Sequence, residues 1–155
     1  MLPEWESYSF TQAEEGEEWK CRVHLEAAKS LYNQWREVFQ LVQAFNDTLP
    51  EFDEEEQITI DTIQLINENA YFIAPKIMSA AGDTLYEIKM ENAALIRFNC
   101  RKMMELISFS VLVGDGDPEH KLVIEDAIEE FKLRFKHWVS LFEKDEYEDE
   151  WGLFI

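Results

Sequence analysis

With 155 residues, 46% of them apolar and 14% aromatic, the chain is long enough for one domain spanning 1–155, burying roughly 70% of the surface its unfolded form would expose. Its 33 acidic residues against 14 basic ones leave a formal charge of −19. That field repels nucleic-acid phosphates and anionic lipid headgroups and favours a basic protein surface, so direct nucleic-acid binding and membrane association are excluded as expectations.

The opening Met1-Leu2-Pro3-Glu4-Trp5-Glu6 carries no basic leader ahead of an apolar run, and no uncharged stretch reaches bilayer length. A cytoplasmic protein is the expectation. Leu2, Trp5, Tyr8 and Phe10 lack helical spacing, which predicts an irregular aromatic arm lying against the fold. Thr11 with Glu14 has the form of a capping box, and Glu14, Glu15, Glu17 and Glu18 suit the positive end of a helix dipole. The first helix, expected over about 12–46, carries Cys21, His24, Ala28, Leu31, Trp35, Val38, Val42 and Phe45 at alternating steps of three and four, a single seam along one side.

Asn46 to Pro50 forms a turn signal, and Asp53 with Glu56 repeats the start signal for a second helix over about 54–81. Its seam is Ile63, Ile66, Ala70, Ile73, Ile77 and Ala80. Pro75 falls inside that pattern, lacks an amide donor and crowds the carbonyl of Tyr71, which predicts a kink. Gly82 is expected as a left-handed stop and Asp83 as the cap of a third helix over about 84–113.

That third helix carries Leu85, Ile88, Leu95, Ile96, Met103, Leu106, Ile107 and Phe109, with Tyr86, Met90, Phe98, Cys100 and Met104 widening the apolar arc. So wide an arc suits either the centre of the packing or one half of a homodimer interface. Gly114-Asp115-Gly116-Asp117-Pro118 stops it, with Asp117 as cap and Pro118 at the first position of a fourth helix over about 118–144. Ile124, Ile128, Phe131, Phe135, Trp138 and Phe142 form the fourth seam. The connections are short, so the predicted fold is all-α: an up-down-up-down antiparallel four-helix bundle with an aromatic N-terminal arm and an acidic C-terminal tail.

Residues 143–150 contain six acids, placed where a helix C-terminus disfavours them, and the helix should fray there. Trp151-Gly152-Leu153-Phe154-Ile155 follows. This apolar end either folds back on the bundle or engages a partner through Trp151 and Phe154. Cys21 and Cys100 differ in level by roughly 15 Å along such a bundle, too far for a disulfide, and are expected as reduced core thiols.

Two constellations are candidates for chemistry. Matching helix midpoints sets Cys21, His24, Glu91, Asn92 and His137 near the Pro75 kink, where thiol, imidazole and carboxylate could bind a small ligand or a metal; the alternative is ordinary hydrogen-bonded core groups. No metal or cofactor is assigned. Arg97, Arg101 and Arg134, with Lys102, Lys132 and Lys136 nearby, could hold an anion or a partner's carboxylate, or else pair with Glu26, Glu68, Glu129 and Glu130 of the same bundle.

The chain lacks the Glu-x-x-His spacing of di-iron carboxylate bundles and the lysine and glycine that follow the reactive histidine of phosphotransfer bundles. No nucleophile–base pair or phosphate-cradling glycine loop is visible, so no catalytic residue is assigned. The leading expectation is a non-enzymatic protein-protein interaction module that binds a basic partner. The alternatives are a small-molecule or metal-binding bundle, and a homodimer joined through the third helix.

Overall fold

The computed structural model describes residues 1–10, 16–50, 57–83 and 85–154, with 57–60 described for their backbone alone. Within them the chain is all-helical: α1 spans Glu18–Asp47, α2 Gln57–Gly82, α3 Tyr86–Leu112 and α4 Pro118–Ser140. The capping signals at Thr11 and Glu14, and at Asp53 and Glu56, lie outside the described residues.

The seam of α1 is the best-buried surface in the molecule. Ala28, Leu31, Trp35, Val38, Val42 and Phe45 are fully enclosed, as is Tyr32 beside them, and each large apolar side chain so buried stabilises by about 1.5–3 kcal/mol. Cys21 and His24, at the start of the seam, are only half-buried. The seam of α2 is enclosed from Ile66 to Ala80, α3 contributes Ile96, Cys100, Met103 and Ile107, and α4 contributes Ile124, Ile128, Phe131 and Trp138.

Side-chain contacts fix the directions. Lys20 pairs with Glu143 at 3.6 Å, Arg134 donates to the Ser30 carbonyl at 3.1 Å, and Gln34 donates to the Ala127 carbonyl at 3.0 Å. Residue numbers rise on α1 as they fall on α4, so the two are antiparallel. The same inversion relates α1 to α2, where the Phe39 and Tyr71 rings lie 4.9 Å apart and Gln43 donates to Asn67 at 3.0 Å. Packing is uneven: α2 lies along α3 and α1 along α4, whereas α3 and α4 meet at few positions.

The aromatic arm lies against α1 as expected. Leu2 and Trp5 are buried, Trp5 stacks on Phe10 at 4.9 Å, and Tyr32 donates its hydroxyl to the Pro3 carbonyl at 2.8 Å. Arg36 grips Glu4 with two hydrogen bonds of 2.6 and 2.7 Å, the fork geometry that suits arginine to a carboxylate.

Three expectations about helix ends need revision. Gly82 does not adopt a left-handed conformation: it is the last residue of α2, which closes with Asp83 donating its amide back to Ala80. Asp83 sits too early to cap the first helical amides, and its carboxylate instead accepts from Leu85 at 2.8 Å. α4 stops at Ser140 rather than 144, leaving the acidic stretch outside the helix, where the dipole no longer opposes it. Pro75 is exposed, and α2 continues through it to Gly82.

The turn between α3 and α4 follows the sequence closely. Gly114 takes a φ of +87°, and Asp117 accepts from the Glu119 amide at 2.8 Å with Pro118 at the first helical position. Gly116 is required for space rather than for its dihedral. A Cβ there would lie 2.6 Å from Cζ of Phe45, whose ring is fully enclosed. Gly116→Ala should therefore destabilise the fold by about 1–3 kcal/mol through overpacking, read as a lower midpoint in urea unfolding with an unchanged slope.

Candidate functional site

The end of the bundle where α1 and α3 begin and α4 finishes gathers three perturbed groups, His24, Glu87 and Lys89. α1 presents Cys21 and His24 there, because both continue its seam beyond the closed core. α3 presents Lys89, and the chain leaving α4 presents Phe142 and Glu143. The Lys89 ammonium lies 5.6 Å from the centre of the Phe142 ring. Burial lowers the Lys89 pKa, against the opposing pull of Asp83, Glu143 and Cys21. Burial also lowers the His24 pKa, assisted by the positive charge of Lys89 and resisted by Glu143. The result is an imidazole and an amine both biased toward their neutral forms.

Beyond Glu143 the acidic segment turns back over the start of α3. α3 has no side-chain cap of its own, and its first amide, at Tyr86, donates to the Asp145 carboxylate at 2.9 Å. Asp145 thus places negative charge at the positive end of the helix dipole. A turn later in the segment, the Asp149 carboxylate accepts from the amides of Trp151 and Gly152, at 3.1 and 2.8 Å. Under this segment lies Glu87, half-buried as a residue, with Oε2 shut off from water and, among the described residues, no donor facing it. Its pKa is raised, first by burial, then by the charge of Asp149 and a hydrogen bond with that carboxyl, then by Asp145 and Glu91.

The ligand set expected from the sequence does not converge. Cys21 and His24 are half-buried and three residues apart on α1, but Glu91 and His137 are exposed on the outer faces of α3 and α4. Asn92 is buried, yet its amide is committed to the Ile88 carbonyl of its own helix at 3.0 Å. Extending the Phe39–Tyr71 and Gln43–Asn67 register sets Pro75 opposite Trp35, about three helical turns from His24. Among the described residues, no group of three or more His, Cys, Asp or Glu side chains could hold a metal ion. Cys21 does line an open cleft of about 440 Å³ with Trp5, Arg22, Leu25 and Lys29, which includes none of the other expected ligands.

The basic patch divides. Arg134 is spent within the bundle, on Glu130 at 3.0 Å and on the Ser30 carbonyl, and Lys132 on Glu129 at 2.6 Å. Arg97 and Arg101 are exposed on α3. Arg101 lines a second open cleft of about 700 Å³ with Met104, Phe109, Leu112 and Lys121, beside the thin junction of α3 and α4. Trp151 is 82% exposed and Leu153 62%, while Phe154 is half-buried.

Glu87, Lys89, Asp145 and Asp149 were not singled out from sequence. Asp83 has the residue type and nearly the position of a cap, which hid the need for one from elsewhere in the chain. No helix among the described residues is long and apolar enough to cross a membrane. Comparison with known proteins returns no match: no protein family, no curated protein and no solved structure.

The two cysteines should differ sharply in reactivity. Cys100 is enclosed, and burial pushes its thiol pKa up to about 12, whereas Cys21 borders open space. Iodoacetamide should label native protein once, at Cys21, and reach Cys100 only on unfolding; intact-mass and peptide mass spectrometry read the result.

Proposed function

We propose that this protein is a non-enzymatic interaction module, working in the cytoplasm, that binds a partner protein with a basic surface through its acidic last segment. The observation that carries the reading is the layout of residues 143–154. Glu143 and Asp145 are fastened to the bundle, while Trp151 and Leu153 stand in solvent at its end. An exposed tryptophan following a dense row of carboxylates suits an apolar slot rimmed by lysine or arginine. The carboxylates steer the encounter, and the ring supplies contact area at little entropic cost. The net charge of −19 reinforces such steering toward a basic surface.

A second reading has its own support. Phe98, Phe109, Leu112 and Val113 are exposed along α3, with Leu112 84% accessible, and an apolar helix face of this kind is what a homodimer would cover. Sedimentation velocity at micromolar concentration decides it.

The leading reading is tested with a lysine-rich amphipathic peptide as model partner, measured by fluorescence anisotropy. Affinity should fall steeply as salt screens the charges. Trp151→Ala should weaken binding by about tenfold or more, and Trp151→Phe should retain most of it. Binding that ignores salt, or that is unchanged by Trp151→Ala, overturns the proposal.

A further inference from the structure

The contact between the last segment and α3 joins one favourable and one unfavourable electrostatic arrangement within a few residues. Asp145 caps the first amide of α3 across 59 positions of sequence. On the next residue, one Glu87 carboxylate oxygen is shut off from water with no hydrogen-bond donor against it among the described residues, and its strongest charged neighbour is the Asp149 carboxyl. Two carboxylates cannot hydrogen-bond to each other; a proton on one of them removes the repulsion. The groups facing Glu87 are Asp149 and Asp145 from the segment and Glu91 from its own helix, all acidic. Lys89 is drawn elsewhere, over the Phe142 ring. Among the described residues, Glu87 Oε2 therefore has no hydrogen-bond donor to compensate its charge.

We propose that residues 143–152 form a proton-controlled latch, docked on the first turn of α3 while the Glu87 carboxyl keeps its proton and released when it ionises. The sign follows from linkage. A carboxyl whose pKa is higher in the docked state binds its proton more tightly there, so docking is strongest below the free carboxyl pKa and is lost as pH rises through the raised value. This direction is opposite to that of an ordinary salt-bridged carboxylate, which loses its contact on acidification. Release would leave the Asp145 cap unmade and put the Trp151 segment on a free tether of about a dozen residues. The latch stands whatever that segment binds, and it is measured on the isolated protein.

The test is hydrogen exchange followed by NMR, with a chelator present so that no divalent cation takes the place of the proton. Rates are expressed as protection factors, which removes the intrinsic pH dependence of exchange. In the wild-type protein, protection of the Tyr86 amide, which Asp145 caps, should be progressively lost as pH rises from about 4, the ordinary carboxyl range, to about 8. In Glu87→Gln the side-chain amide can donate to the Asp149 carboxylate, so protection should persist across that range. Asp149→Asn removes the same repulsion from the other side and should behave alike, which keeps the test decisive if the Glu87 variant folds poorly. Wild-type protection that does not change with pH overturns the latch, as does a wild-type fall retained in both variants.

Discussion

Enclosure of α1 from two sides at once is the constraint on which the architecture depends. Its side chains from Ala28 to Phe45 meet α2 along one flank and α4 along the other, while the aromatic arm closes over Tyr32. Trp35 sits at the middle of this arrangement, its ring edge-on to Phe131 at 5.4 Å. α2 and α4 are thus held apart by the helix they share. α3 follows α2, so it reaches α4 only along a thin junction. The open cleft at Arg101 and Lys121 and the exposure of Phe109 and Leu112 follow from that geometry rather than from any local peculiarity of α3.

The same thin junction explains why charge chemistry collects at one end of the bundle. Where α1 and α3 begin, the described residues offer no further helix to cover them, and the chain leaving α4 does so with a polar segment. Burial there is partial, enough to penalise charge without excluding it. His24 is biased toward imidazole, Lys89 toward amine and Glu87 toward carboxylic acid, and for all three the first cause is desolvation. Within a molecule of net charge −19, partial burial at this end shifts an acid and two bases alike toward their neutral forms.

The helices were legible because each buries a stripe, and a stripe leaves a period in the sequence. The steps of three and four from Ala28 to Phe45 survive intact in the enclosed core. The turn at Gly114 to Pro118 was legible because its chemistry is local. The proposed ligand set was not, because it needed the level and rotation of four helices at once. Matching midpoints placed Pro75 beside His24, whereas the Phe39–Tyr71 contact shifts α2 along α1, and phase alone turns His137 and Glu91 outward. The cap on α3 was illegible for a different reason. Asp83 has the residue type and nearly the position of a cap, so a local reading stops there, and nothing in the periodicity points to Asp145.

That distant cap also explains how an acidic segment comes to rest on an acidic molecule at all. A capping carboxylate at a helix N-terminus typically stabilises by about 1 kcal/mol, a small quantity against the repulsion expected among Glu87, Glu91, Asp145 and Asp149 were all of them charged. The Lys20–Glu143 pair adds little, since both groups are exposed. On the proposed latch, removing one charge from that cluster lets the cap outweigh the repulsion. On that proposal the raised pKa of Glu87 and the docking of the segment are one linkage seen from two sides: the segment holds the proton in place, and the proton holds the segment.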